Sequence, residues 1–400
     1  MPGFSRCSIA HLCSSVCSGG TPRSMIPSYY NGDIPWLNTK EVNFNRIYDT
    51  ERKITVSGLV NSSAKWVPPN SVVVAMYGAT AGRCAITKIP LTTNQACCNL
   101  VVDSAKADYR FVYYALCHGY ARLASSANGG AQQNLNALIV KDFEIMCPPL
   151  PTQRKIAAVL SSLDDKIENN NAICRNLEEQ AAACYDKISS NGNCQPVLLG
   201  DIAQKVAMGP FGSNIKVSTF VESGVPIISG GHLHGKIVQG NEFNYITEEH
   251  AQRLKNSMVG VDDIVLTHAG NIGQVSIVSE DGEFSRYIIS QRQFYLRCNQ
   301  EKVFPLYVLF FLHSAYGQWQ LLSFSSQTGV PSIAQPATNL KKIIMPMPPY
   351  QVQKQWFARV QPMYRLILKL MKETRRLAAL RDTLLPKLMS GEIDVDKVSI

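Results

Sequence analysis

Residues Cys147-Pro148-Pro149-Leu150-Pro151-Thr152-Gln153 return 200 positions later as Met347-Pro348-Pro349-Tyr350-Gln351-Val352-Gln353. Each Pro-Pro pair opens a segment with a seven-residue apolar step. After Pro151, one row holds Ile156, Leu163, Asn170, Leu177 and Cys184, and the other holds Leu160, Ile167, Cys174, Ala181 and Ile188. A step kept this strictly is a coiled-coil seam. It predicts a helix of roughly 38 residues, about 57 Å long. Asn170 inside the seam costs stability and fixes register. The second series sets Trp356, Met363, Leu370, Leu377 and Leu384 beside Val360, Ile367, Thr374, Arg381 and Leu388. The two helices occupy equivalent places, which makes them natural antiparallel partners. Pro362 removes a helical hydrogen bond, so a kink or break is expected near Gln361.

Working outward, the heptads close two tellings of one longer pattern. Gly32-Asp33-Ile34-Pro35-Trp36-Leu37 parallels Gly224-Val225-Pro226-Ile227-Ile228. Val72-Val73-Val74-Ala75 leading to Gly78-Ala79-Thr80-Ala81-Gly82 parallels Ile264-Val265-Leu266 leading to Gly270-Asn271-Ile272-Gly273. Asn94-Gln95 echoes Ser290-Gln291, and Tyr113-Tyr114-Ala115-Leu116 echoes Tyr307-Val308-Leu309-Phe310. The period far exceeds that of a solenoid. The expectation is therefore an α/β protein with two tandem globular domains: residues 1–150, a spacer helix over 151–190, residues 191–350, and a second spacer helix over 351–400.

Composition agrees with two separate cores. Of 400 residues, 46% are apolar and 17% charged, a globular balance. Without 18 consecutive apolar residues or a convincing signal peptide, the chain is placed in the cytoplasm. Twelve cysteines lack the regular spacing of a disulfide scaffold. Cys7, His11, Cys13 and Cys17 do not form the two tight pairs of a zinc site, so no metal is expected. The net charge of +9 divides into 18 Lys and Arg against 14 Asp and Glu in residues 1–200, and 21 against 16 in residues 201–400. Two similar, mildly basic bodies suit a polyanion better than one basic tail would.

Several stretches, taken in order, resemble the specificity subunit of type I restriction-modification systems over almost the full length. Gly19-Gly20-Thr21-Pro22 followed by Tyr30-Asn31-Gly32-Asp33-Ile34-Pro35-Trp36-Leu37 is similar to the opening of that family's target recognition domains. Pro148-Pro149-Leu150-Pro151-Thr152-Gln153-Arg154-Lys155-Ile156 matches its first spacer entry. Leu380-Arg381-Asp382-Thr383-Leu384-Leu385-Pro386-Lys387-Leu388-Met389-Ser390-Gly391-Glu392 matches its close. The resemblance implies two target recognition domains, each reading half of a split, asymmetric site in double-stranded DNA. It also implies spacer helices that set the gap and dock adenine-methyltransferase modification subunits, two of them, with restriction or translocase subunits as further partners. S-adenosylmethionine, ATP and Mg would belong to those partners, leaving this chain a non-catalytic, nucleoid-associated reader. The second unit opens with Leu199-Gly200-Asp201-Ile202-Ala203, whereas Ile9-Ala10 lacks the preceding Leu-Gly-Asp, which puts the edge of the first domain in doubt.

DNA readout needs Asn or Gln to meet adenine, Arg or Lys to meet guanine, and small residues where backbone nears phosphate. In the first unit the turns supply Gly20, Thr21, Arg23, Asn38, Lys40, Thr80, Arg83, Asn94, Gln95, Gln132 and Gln133. The second supplies Ser213, Asn214, Lys216, His268, Asn271, Gln274, Gln291, Arg292 and Gln327. Each alone is as readily a solvated turn residue. His232, His234 and His268 have no paired carboxylates for acid-base work, and contact with bases or phosphates suits them better. Met347-Pro348-Pro349-Tyr350 resembles the base-holding motif of adenine methyltransferases, but its polar first residue is missing and no Gly-rich cofactor loop accompanies it. Paired prolines that end a strand before a helix are the simpler reading. The other functional class open to this pattern is a coiled-coil scaffold whose duplicated domains bind protein.

Overall fold

The computed structural model of the protein describes residues 3–126, 134–190, 192–211, 214–240, 242–326 and 329–397. The chain divides into two compact units: Met1–Asn169 with Thr374–Ile400, and Asn170–Glu373. The division falls inside both long helices, so each unit takes half of each.

In the first unit a five-stranded sheet runs in the order Cys13–Ser18, Cys97–Val102, Val72–Ala75, Cys84–Thr87, Asn45–Ile47. Residues 72–75, three β-branched valines and an alanine, are buried on both faces, which is what a central, covered strand requires. Successive side chains point to opposite faces, so this strand feeds two cores. Val72 and Val74 join Cys84, Ile86, Phe111 and Leu116 on one side, where the helix Tyr109–His118 lies. Val73 and Ala75 join Leu37, Val67 and Leu91 of a second sheet on the other. That sheet runs Lys53–Ile54, Tyr30–Leu37, Leu91–Thr93, Trp66–Val67, with its two middle strands parallel.

The second unit repeats this plan with four strands in place of five in the first sheet, where the position of Asn45–Ile47 is taken by an isolated parallel bridge from Ile237 to Ile277. Ala203–Met208, Gln293–Cys298, Ile264–Thr267 and Val275–Ile277 form one sheet, and Asn244–Ile246, Val225–Ile228, Arg286–Ile289 and Met258–Gly260 the other. The same pair of middle strands is parallel. Ile264 and Leu266 pack with the helix Pro305–His313, while Val265 packs with Ile228 and Ile289. The sequence landmarks fall on equivalent elements throughout, and all four glycines of the turns at 78–82 and 270–273 have positive φ. The edge of the first domain also forms: Ser5–Ser8 pairs with Glu144–Cys147 as Gln195–Leu198 pairs with Ile344–Met347. Ser8 caps the short helix Ile9–Leu12 without Leu-Gly-Asp.

Both Pro-Pro pairs separate a strand from a helix, as the simpler reading expects. Gln153 and Gln353 are buried, and each donates through Nε2 to the carbonyl of Pro148 or Pro348 at 2.9 Å. Their Oε1 atoms accept from the amides of Asp108 and Phe304, at the start of each unit's aromatic helix.

The long helices are Leu150–Ser189 and Tyr350–Met389, 40 residues each. Every predicted seam position on both is buried or half-buried. In the first unit Ile156 and Leu160 share a core with Leu384, Leu385 and Leu388. In the second, Ala181 shares one with Trp356, Val360 and Ile367. The pairing is antiparallel: Asn170 Nδ2 donates to Glu373 Oε2 at 3.0 Å, and the Cys174 thiol lies 3.8 Å from the Ile367 carbonyl. The expected break near Gln361 does not occur, and the helix runs unbroken through Pro362. Pro362 and Ala358, whose carbonyl loses its intrahelical donor, both lie on the exposed side, where water can take the orphaned oxygen. Among the described residues, no helix is long and apolar enough to cross a membrane.

Candidate nucleic-acid interface

Strand ends and tight turns gather most of the candidate residues of the first unit at one edge of its sheets. The Thr21 hydroxyl bonds Gln95 Oε1. Asn94 Nδ2 donates to Asn38 Oδ1 at 3.2 Å, and Asn94 Oδ1 accepts from the amide of Ala96 at 3.1 Å. Asn38 caps the turn Thr39–Glu41, its amide donating to Glu41 Oε1 at 3.0 Å. The Met76 amide donates to the Ala96 carbonyl at 2.8 Å, which brings in the turn that carries Thr80 and Arg83. Arg83 Nη1 donates to Asn43 Oδ1 at 2.7 Å. Thr21, Arg23 and Gln95 are exposed, and Asn38, Thr80, Arg83 and Asn94 half-buried.

Two candidates are otherwise engaged. Lys40 pairs with Glu51. Gly20 is buried, its amide bonded to Thr93 and its carbonyl to Trp36 Nε1 at 2.9 Å. A Cβ on Gly20 would stand 2.2 Å from the Ala64 nitrogen, so the residue serves close backbone packing.

The second unit assembles its group around the turn at 270–273. The His268 amide donates to the Arg292 carbonyl, and its Nε2 lies 3.0 Å from the Gln291 carbonyl. Gln274 Oε1 accepts from the Thr267 hydroxyl at 3.1 Å. Asn271, Gln291 and Arg292 are exposed. Asn214 sits apart from this group in a loop held by His250, whose Nε2 is 2.8 Å from the Asn214 carbonyl. Lys216 begins the turn Val217–Thr219 and is exposed. Gln132, Gln133, Ser213 and Gln327 lie outside the described residues.

His232 is not a loop contact. It is buried, stacked on Phe243 at 4.2 Å, with Nδ1 accepting from the Ser229 amide and Nε2 donating to the Glu242 carbonyl. His313, behind the same turn, donates Nε2–H to the Val275 carbonyl at 2.8 Å. Burial, helped by the nearby Lys236 charge, pushes its pKa down to about 4. The unfolded chain binds the proton near pH 6.5, so the neutral folded form keeps its full stability above that pH. As pH falls from 6.5 towards 4 only the unfolded state gains the proton, and stability drops by about 3 kcal/mol before levelling off. Urea unfolding at pH 7 and pH 4 should show this loss, and His313→Gln should flatten it.

With this geometry in view, the relatives decide the family. The sequence model of the type I restriction modification DNA specificity domain matches residues 9–179 and again residues 191–379. The chain belongs to that family. Within this specificity family it is similar to the type I restriction enzyme MjaIX specificity subunit of Methanocaldococcus jannaschii, at 26% identity over 96% of this chain and 92% of the relative. The EcoBI specificity subunit of Escherichia coli is 21% identical over 82% of this chain and 74% of its own length. The solved S subunit of the type I restriction-modification system of M. genitalium has the same fold, with a TM-score of 0.64, 18% identity and 96% of each chain covered.

Sequence reasoning missed Asn43, which holds Arg83, together with Thr267 and Gln293, which stand behind Gln274. These sit in or beside strands where polar side chains gave no periodic signal.

Proposed function

We propose that this chain is the DNA-reading subunit of a type I restriction-modification complex, with each unit recognising one half of a bipartite, asymmetric site. One observation carries this: the two units share a fold but differ at equivalent turns. Strand pairing matches Val74 opposite Cys84 with Leu266 opposite Val275, so Arg83 stands where the second unit has Gln274. Asn38 and Ser229 likewise cap equivalent turns. A common scaffold with different reading groups suits two different half-sites.

The paired helices are the docking surface for modification subunits, two of them, with restriction or translocase subunits joining the same complex. Methyl transfer and its S-adenosylmethionine, and the ATP- and Mg-dependent steps, belong to those partners. The strand-to-helix role of both Pro-Pro pairs supports a reader without chemistry of its own.

The test is to express the chain with a type I modification subunit in a host free of adenine methylation and to map N6-methyladenine. Arg83→Ala should relax only the first half-site and Arg292→Ala only the second, each losing about 1 to 3 kcal/mol of discrimination. Uniform weakening across all sequences would make both arginines phosphate contacts. Detectable methyl transfer by the purified chain alone would overturn the non-catalytic assignment.

A further inference from the structure

Behind Gln274 runs a relay of polar side chains that the first unit lacks. The Ser290 hydroxyl donates to Gln293 Oε1, Gln293 Nε2 donates to Thr267 Oγ1 at 3.4 Å, and the Thr267 hydroxyl donates to Gln274 Oε1 at 3.1 Å. Thr267 is 2% exposed and Gln293 1%. Polar groups at such depth are unfavourable unless bonded, and their side chains are satisfied along this relay.

The fold itself does not demand the relay. The pairing that sets Thr267 opposite Gln293 sets Ala75 opposite Cys97 in the first unit, and both of those are fully buried. There the residue equivalent to Gln274 is Arg83, which turns to Asn43 instead. An apolar pair is therefore sufficient to build this strand crossing, and the polar pair must earn its place by what it does to Gln274.

We propose that Gln274 is a specificity-determining residue of the second half-site, and that Thr267 and Gln293 are positioning residues that fix the polarity of its amide. This rests on the reading of the second unit as a DNA reader. With Oε1 held by Thr267, the Gln274 Nε2 has no partner among the described residues, so Gln274 offers donors to a base edge. Gly230 leaves room for this, since a Cβ there would stand 3.3 Å from Gln274 Oε1. Donors suit purine N7, guanine O6 and thymine O4, whereas cytosine presents only its N4 donor in the major groove. Gln274 thus rejects cytosine at the base it faces.

The test uses the chain in complex with its modification subunit and maps the methylated motif position by position. Thr267→Ala combined with Gln293→Cys copies the first unit's own buried pair. It should keep methylation and the first half-site, while losing roughly five- to tenfold discrimination at a single second-half position. Thr267→Ser, which keeps the hydroxyl, should leave the motif as in wild type. Gln274→Glu accepts from Thr267 with one oxygen and offers the other as an acceptor, so it should admit cytosine at that same position, whether or not the double variant folds. An unchanged second half-site in Gln274→Glu, with the wild-type motif intact, overturns the proposal. So does loosening at several positions in the double variant, which marks a merely structural role. A wild-type complex with no bipartite motif dependent on this chain removes the underlying reading instead.

Discussion

Trp356→Ala is expected to destabilise the second unit by about 3 to 5 kcal/mol, the range for truncating a large buried aromatic. Trp356 is 4% exposed and meets Tyr307 and Phe310 edge-on at 5.5 Å, with Tyr185 of the other long helix 6.5 Å away. It therefore joins the second unit's aromatic helix to both halves of the helical pair. Its indole Nε1 is buried without a hydrogen-bond partner among the described residues, a standing cost that Trp356→Phe removes. The phenylalanine variant should accordingly lose much less than the alanine variant in chemical denaturation. Equal losses would mean that the ring's volume contributes little at this site.

Asp164→Ala should be comparably severe in the first unit, at about 3 kcal/mol or more. Asp164 Oδ1 accepts from Arg381 Nη1 at 2.7 Å and Oδ2 from the Tyr114 hydroxyl at 2.5 Å. Its side chain is 14% exposed and that of Arg381 29%. Removing one partner of such a pair leaves a poorly hydrated charge behind, and the Tyr114 hydroxyl loses its acceptor as well. Asp382, which also bonds Arg381 at 2.8 Å, keeps the loss towards the lower end of the usual range. Denaturant titration of Asp164→Ala beside the double variant Asp164→Ala with Arg381→Met should separate the two costs, because the double variant leaves neither charge uncompensated.

The contrast between Trp356 and Asp164 shows what the sequence could reveal. Trp356 stands in a seven-residue row, and periodicity reports which face of a helix is buried without saying what lies opposite. Arg381 stands in such a row too, yet its partner is 217 residues away, beyond any local pattern. The duplication was legible for a related reason: turn glycines with positive φ and fully covered β-branched strands constrain residue type at the same places in both units. A break at Pro362 was left open because exposure, which lets water replace a lost hydrogen bond, is not written in spacing.

The candidate edge was legible only in part. Asn38, Asn94 and Gln95 stood out as candidates because polar residues in turns after strands carry a signal. Which of them faces outward, and which is held, depends on pairing. Gly20 and His232 proved to be packed, and Thr267 and Gln293 took positions where strand alternation predicts apolar residues. Exceptions of this kind mark where the two units have diverged on one scaffold.

The most direct test of two independent readers is a chain in which residues 195–347 are replaced by a second copy of residues 5–147, strand for strand, with both long helices kept. Its methylated motif, mapped in complex with the modification subunit, should carry the bases of the wild-type first half-site in both halves. A motif that kept the wild-type second half-site would contradict the account, because the bases would then be read by something other than the unit that was exchanged.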